Sequence, residues 1–116
     1  MTLQNLSPAN VAQKLKRDEI VLIDVREPQE YAAERIHGAL LFPMSTFDPS
    51  QLPDDGKKPV VFQCGSGMRS AKAVAACAAA GFPHNAHMAG GIMAWKAAGL
   101  PTISVDPATG KVIDRR

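Results

Sequence analysis

Cysteine is scarce in this sequence: Cys64 and Cys77 are the only two among 116 residues. A secreted scaffold held by disulfides carries more of them in a shorter chain. The pair is therefore read as two free thiols in a reducing, cytoplasmic setting. Two cysteines and three scattered histidines (His37, His84, His87) do not make a zinc spacing, and no metal is expected. An excess of one charge sign is also lacking. Thirteen Lys and Arg against eleven Asp and Glu leave a formal charge of +2, and no basic stripe is present. This argues against nucleic acid and against a polybasic membrane anchor. No apolar run approaches the ~20 residues that cross a bilayer. Residues 1–10 lack the basic start and apolar run of a signal peptide.

What is there suits one globular domain. The hydrophobic share is 46% and the charged share 21%, and the length suffices for a core without disulfide or metal staples. Ser7-Pro8 is a helix start, with Ser as N-cap and Pro at the first helical position, and the helix is expected over residues 8–16. Ile20-Val21-Leu22-Ile23 is a short continuous apolar run, the pattern of a strand buried on both faces. Pro28 opens a short helix, and residues 38–42 form a second strand ended by Pro43. A polar connection over 48–58 leads to a third strand, 59–63, which delivers Cys64. The alanine-rich stretch 70–80 reads as a helix stopped by Gly81, with its start at Arg69 or Ser70. A weaker fourth strand, 85–88, and a short helix, 92–98, follow. Residues 102–116 form a C-terminal extension to a domain of residues 1–101, either a hairpin around Ala108-Thr109-Gly110 or a loose tail.

Alternating strands and helices define an α/β fold, with about five mainly parallel strands and helices on both faces. Active sites of such sheets lie at the carboxyl ends of the strands. Three segments meet that condition: Asp24-Val25-Arg26, the stretch from Cys64 to Arg69, and Ala89-Gly90-Gly91.

The second of these carries the chemistry. Cys64-Gly65-Ser66-Gly67-Met68-Arg69-Ser70 runs from a strand into a helix. Glycines let such a turn aim successive backbone N–H groups at one centre, an anion nest. The helix N-terminus adds partial positive charge, and Arg69 a full one. Together they lower a thiol pKa, so Cys64 is expected to be a thiolate nucleophile. Cys77, mid-helix and in phase with Ala73, Val74 and Ala80, is expected to pack in the core. Four residues separate Cys64 from Arg69. Cysteine phosphatases use a longer loop to encircle a phosphoryl group, whereas this smaller cradle matches one extra sulfur on the cysteine, a persulfide.

The sequence resembles the rhodanese family of sulfurtransferases over nearly its whole length. Asp24-Val25-Arg26-Glu27-Pro28 with Glu30-Tyr31, then Arg35-Ile36-His37-Gly38-Ala39, the Cys64–Arg69 loop, and Gly90-Gly91-Ile92-Met93-Ala94-Trp95 are similar to that family's motifs, in its order and spacing. The resemblance implies a single-domain rhodanese-like sulfurtransferase. Cys64 would take sulfane sulfur from a small anionic donor and pass it to cyanide or a thiol by covalent, ping-pong catalysis without a cofactor. The N–H groups of Gly65, Ser66, Gly67, Met68 and Arg69 would hold the terminal sulfur anion. Cys-Gly-Ser-Gly also looks like the start of the mercaptopyruvate sulfurtransferase loop, so thiosulfate and mercaptopyruvate both stay open as donors. A sulfur-relay module serving a protein acceptor is the alternative. A cysteine phosphatase or arsenate reductase fits the short loop less well.

Supporting roles fall to Asp24, Arg26 and Ser70. Asp24 and Arg26 either tie the loop or donor electrostatically or form a structural pair, with Arg26–Glu30 as another pairing one helical turn apart. Ser70, like Ser66, either hydrogen-bonds the persulfide or caps the helix. His37 is expected to make a structural hydrogen bond, His84 and His87 to be solvated or structural, and Trp95 to pack.

Overall fold

The computed structural model describes residues 2–116. In chain order the elements are β1 (Gln4–Leu6), α1 (Pro8–Lys16), β2 (Val21–Asp24), α2 (Pro28–Ala33), β3 (Glu34–Arg35), β4 (Leu40–Leu41), β5 (Val60–Gln63), α3 (Met68–Ala79), β6 (Ala86–Met88), α4 (Gly91–Ala97), β7 (Ile103–Val105) and β8 (Val112–Asp114). Five strands pair in parallel in the order β1-β6-β5-β2-β4. The fold is the α/β architecture expected from the alternation of elements.

The central strands explain their own composition. Every residue of β5 is buried, as are Leu22, Ile23 and Asp24 of β2. A strand covered on both faces needs apolar side chains on both. One core layer joins Val11 of α1 and Ile92 and Trp95 of α4 to Leu22, Val61, Ala86 and Met88. The other joins Ala73, Val74 and Cys77 of α3 to Ile23, Val60 and Phe62. The period of two along β5 thus sends Val61 to α1 and α4, and Phe62 to α3. Ser7 caps α1, its Oγ accepting the Asn10 N–H at 3.1 Å.

Several features depart from expectation. The sequence did not single out β1, which completes the parallel sheet against β6. Helix α3 starts at Met68, because Gly67 adopts φ +102° and turns the chain early. Residues 103–105 and 112–114 pair antiparallel, the hairpin form of the two expected for the extension; the departure is that β7 also pairs with β3, giving a second sheet in the order β3-β7-β8. Ile103 and Thr102 are buried, whereas all of β8 is exposed. Trp95 packs as expected, its Nε1–H donating to the Pro101 carbonyl at 2.9 Å.

Gln63, the last residue of β5, is fully buried, and neither polar atom of its side chain has a partner among the described residues. A buried unpaired amide costs about 1–3 kcal/mol, a cost an apolar side chain of similar shape avoids. Gln63→Met is therefore expected to raise stability by about 1 kcal/mol. Denaturant unfolding checks this, and a lower midpoint at unchanged m-value would overturn it.

Candidate active site

The loop after β5 closes around the Cys64 sulfur. The N–H of Gly67 donates to Sγ at 3.0 Å and the N–H of Ser70 at 3.3 Å, with the Ser70 hydroxyl at 3.6 Å. Burial favours the neutral thiol and works against ionisation of Cys64. The hydrogen bond with the Ser70 hydroxyl and those from the N–H groups of Ser70, Gly67 and Ser66 outweigh it and hold the pKa below the ordinary thiol value. For Cys77 only burial acts, and its thiol is pushed up to about 11. The two cysteines, both free, are thus tuned in opposite directions.

The shape of the loop depends on α4. The N–H of Ile92 donates to the Cys64 carbonyl at 2.8 Å, and that of Met93 to the Gly65 carbonyl at 3.1 Å. The first turn of a helix has spare N–H groups, and here they hold the loop carbonyls on the side away from the sulfur. This close approach requires Gly91, at φ +60°, where a Cβ would lie 2.2 Å from the Cys64 carbonyl oxygen. The Gly90-Gly91 segment and the cysteine loop, distant in sequence, form one unit.

Arg69 does not point its charge freely at the sulfur. Its guanidinium forms a two-pronged pair with Glu30 of α2, Nη1–Oε1 at 2.6 Å and Nη2–Oε2 at 3.0 Å. Its Nη2 also lies against Gly65, 3.1 Å from where a Cβ would stand. The hydrogen bond from Arg69 holds the Glu30 carboxyl down at about 2, against an ordinary value of 4.5. A depressed carboxyl pKa adds stability in full above the unfolded-state value and loses it as pH falls toward the folded one. The two side chains are 35% and 36% exposed, so solvent screening reduces the gain. Glu30→Gln is expected to cost about 1 kcal/mol at pH 7, and the difference from the parent should close as pH falls from 4.5 toward 2. Unfolding curves across that range test it, and a difference independent of pH would overturn it.

Asp24 and Arg26 form a buried pair that does not hydrogen-bond Cys64. Arg26 Nε reaches both Asp24 oxygens at 3.1 Å, and Nη2 reaches Oδ2 at 2.9 Å. Arg26 Nη2 also donates to the Glu34 carbonyl at 2.6 Å. The pair fixes the end of α2, the helix that presents Glu30 to Arg69. Ser66 and Met68 are exposed on the loop, Gly65 and Gly67 are half-buried, and Ser70 is fully buried. His37 is exposed beside Leu15 and Trp95, and buried His84 lies 3.4 Å from Asp54.

Sequence reasoning missed one residue here. His87 is 5% exposed, and its Nδ1 lies 2.8 Å from the Ser70 hydroxyl oxygen. Its Nε2 lies 2.7 Å from Asn5 Oδ1 on β1. The signal was present in strand alternation. Ala86 and Met88 share one core layer, so the residue between them must face α3.

A strand-to-helix loop that gathers N–H groups on a cysteine sulfur, at the carboxyl edge of a parallel sheet, defines a class of thiol-centred α/β proteins. The rhodanese-like domain profile matches residues 7–98. The sulfurtransferase of Allochromatium vinosum is 32% identical over 105 residues, covering 88% of this chain and 96% of its own. The uncharacterized protein slr1261 of Synechocystis is 40% identical over 103 residues, which is 89% of this chain; the match spans 58% of that longer protein. Among solved structures, the rhodanese-related protein of Thermoplasma volcanium superposes with a TM-score of 0.73 at 28% identity, covering 85% of this chain and 96% of that one. The chain belongs to the rhodanese-like domain family, and relatives named as sulfurtransferases lie within it. No helix among the described residues is long and apolar enough to cross a membrane.

Proposed function

We propose that the protein is a sulfurtransferase that carries one sulfane sulfur on Cys64 as a persulfide. The observation that carries this reading is the convergence on Sγ of the Gly67 N–H from the loop and the Ser70 N–H from the first turn of α3, at 3.0 and 3.3 Å. An anion at that centre is stabilised whether it is the thiolate or the terminal sulfur of a persulfide.

The thiolate attacks the outer sulfur of a small anionic donor such as thiosulfate. The new S–S bond forms as the donor's own S–S bond breaks, and sulfite leaves with the electron pair. The persulfide anion rests among the N–H groups of Gly65 to Arg69. Cyanide or a thiolate then attacks the terminal sulfur, and Cys64 departs as thiolate. Arg69, tied to Glu30, holds the loop closed over Gly65, and Asp24 with Arg26 supports that tie through α2. Cys64 is fully buried, so a donor reaches it only as the loop yields at its exposed residues, Ser66 and Met68. Free thiols of this kind suit a reducing compartment, the cytoplasm.

A relay reading has its own observation. Met68 on the loop and Met93 on α4 are 71% and 66% exposed, and both lie beside the Cys64 loop. Two exposed, adaptable thioether side chains suit a protein acceptor carrying its own thiol.

The test is to incubate the protein with thiosulfate, mercaptopyruvate and a low-molecular-weight persulfide, and to map the product by peptide mass. One added sulfur on Cys64 with any of them is the expected result. Comparing kcat/KM across that panel identifies the donor, and transfer to a protein acceptor much faster than to cyanide favours the relay. No sulfur adduct with any donor, or turnover of a phenyl phosphate ester in its place, overturns the reading.

A further inference from the structure

The sulfur of Cys64 is the first member of a hydrogen-bonded chain that crosses the sheet edge. Sγ lies 3.6 Å from Ser70 Oγ. Ser70 Oγ lies 2.8 Å from His87 Nδ1, and His87 Nε2 lies 2.7 Å from Asn5 Oδ1. Ser70 is fully buried and His87 nearly so. The parallel registers align the parts, with Asn5 opposite His87 in β1–β6 and Phe62 opposite His87 in β5–β6.

Donor and acceptor chemistry fixes the direction of this chain. An amide oxygen only accepts, so the Asn5 contact places a hydrogen on His87 Nε2 and leaves the Nδ1 lone pair free. The Ser70 hydroxyl then donates to Nδ1, and its oxygen faces the thiol. Every donor points the same way, from sulfur through oxygen to imidazole. The Gly67 carbonyl, 3.1 Å from Ser70 Oγ, is a competing acceptor for the hydroxyl but cannot take up a proton.

We propose that His87 is a positioning residue for Cys64 and the acceptor of its thiol proton, acting through the hydroxyl of Ser70. The inference deepens the reading of Cys64 as the sulfur carrier and rests on it. As the S–H bond of Cys64 breaks, its proton passes to Ser70 Oγ, while the hydroxyl proton of Ser70 passes to His87 Nδ1. The products are a thiolate, a restored serine hydroxyl and an imidazolium whose Nε2–H remains on Asn5. The hydroxyl can then turn to donate to the thiolate, so the chain that carried the proton away also steadies the anion. Burial holds His87 below the ordinary imidazole pKa, so the imidazole is neutral at rest, and the imidazolium is stabilised by the thiolate formed with it.

The other charged groups around the loop are already paired. Arg69 of α3 is bound to Glu30 of α2, and Arg26 to Asp24 at the end of β2. Among the described residues the His87 imidazole hydrogen-bonds only Ser70 and Asn5. Its register partner on β5 is Phe62, and Gly67 lies against the ring, a Cβ there standing 3.9 Å from His87 Cε1; neither ionises.

The test is the pH profile of Cys64 alkylation by iodoacetamide, located by peptide mapping so that Cys77 is counted separately. It involves no sulfur donor, so it decides the role of His87 even if every donor fails to load Cys64. His87→Gln, which can hydrogen-bond but not take a proton, is expected to move the profile up by about one pH unit, about tenfold less thiolate at a pH below it. Asn5→Asp places a carboxylate behind Nε2–H and makes the imidazole more basic. It is expected to move the profile down, and it sits at an exposed position, so it keeps the test decisive if His87→Gln fails to fold. In a Ser70→Ala background both shifts should vanish, because the link is cut. An unmoved profile in both variants, an upward shift with Asn5→Asp, or shifts of equal size with and without Ser70 would overturn the proposal.

Discussion

Gly91→Ala is expected to destabilise the protein by about 3 kcal/mol or more and to make the Cys64 thiol less acidic. Two costs add at this position. A φ of +60° is unfavourable for any residue with a Cβ, by about 1 kcal/mol. The added Cβ would also lie 2.2 Å from the Cys64 carbonyl oxygen and 2.7 Å from the Gly65 carbonyl carbon and oxygen. All three are backbone atoms, so no side chain can rotate away. Either α4 must retreat, losing the hydrogen bonds from Ile92 and Met93, or the loop must move and spoil the N–H geometry around the sulfur. Gly99→Ala is the control, because Gly99 has φ +76° but nothing within 4 Å of the added atom. It should cost only the conformational part, about 1 kcal/mol. Thermal unfolding should show Gly91→Ala melting lower by roughly 10 °C or more, with slower alkylation of Cys64 near neutral pH. Equal losses in the two variants would show that the α4 contact does not shape the loop.

Cys64→Ser is expected to leave the fold intact and to reduce sulfur transfer to the uncatalysed background. Serine keeps the size of the side chain and an atom able to accept from the Gly67 and Ser70 N–H groups. Its hydroxyl does not ionise near neutral pH even in a strong nest, and it has no sulfur chemistry to offer. No sulfur should remain on the variant after donor treatment, while Cys77, pushed up to about 11 by burial, should stay unmodified in both proteins. Substantial turnover by Cys64→Ser would move the chemistry to another residue.

These two residues show what local sequence can and cannot reveal. Cys64, its glycines and the helix behind it lie within a few residues of one another, so the nest was readable from spacing alone. The apolar runs of β2 and β5 were equally plain, since strands covered on both faces carry continuous hydrophobic sequence. Strand β1 escaped notice because it is three residues long, mostly exposed and at a sheet edge, with no run to advertise it. Arg69 read as a free cation because its partner, Glu30, lies 39 positions away. His87 read as solvated or structural because it sits in a short strand of weak pattern. Its contacts with Ser70 and Asn5 exist only once the order β1-β6-β5 is known. Arg69 and His87 were hidden because their partners lie far off in sequence, and β1 because its three residues carry no pattern of their own.

The dependence of the cysteine loop on α4 also bears on biosynthesis. Chains emerge N-terminal end first, so Cys64 leaves the ribosome before Ile92 and Met93, the residues that hold its loop carbonyls. Until they arrive, the Cys64 and Gly65 carbonyls lack the N–H groups that hold them, and the loop is tied only through Arg69 to Glu30. The hydrogen-bonded setting of the loop is complete only once α4 has docked. On the proposed reading, sulfur loading of Cys64 would therefore follow the docking of α4, and a loaded cysteine would report a completed fold.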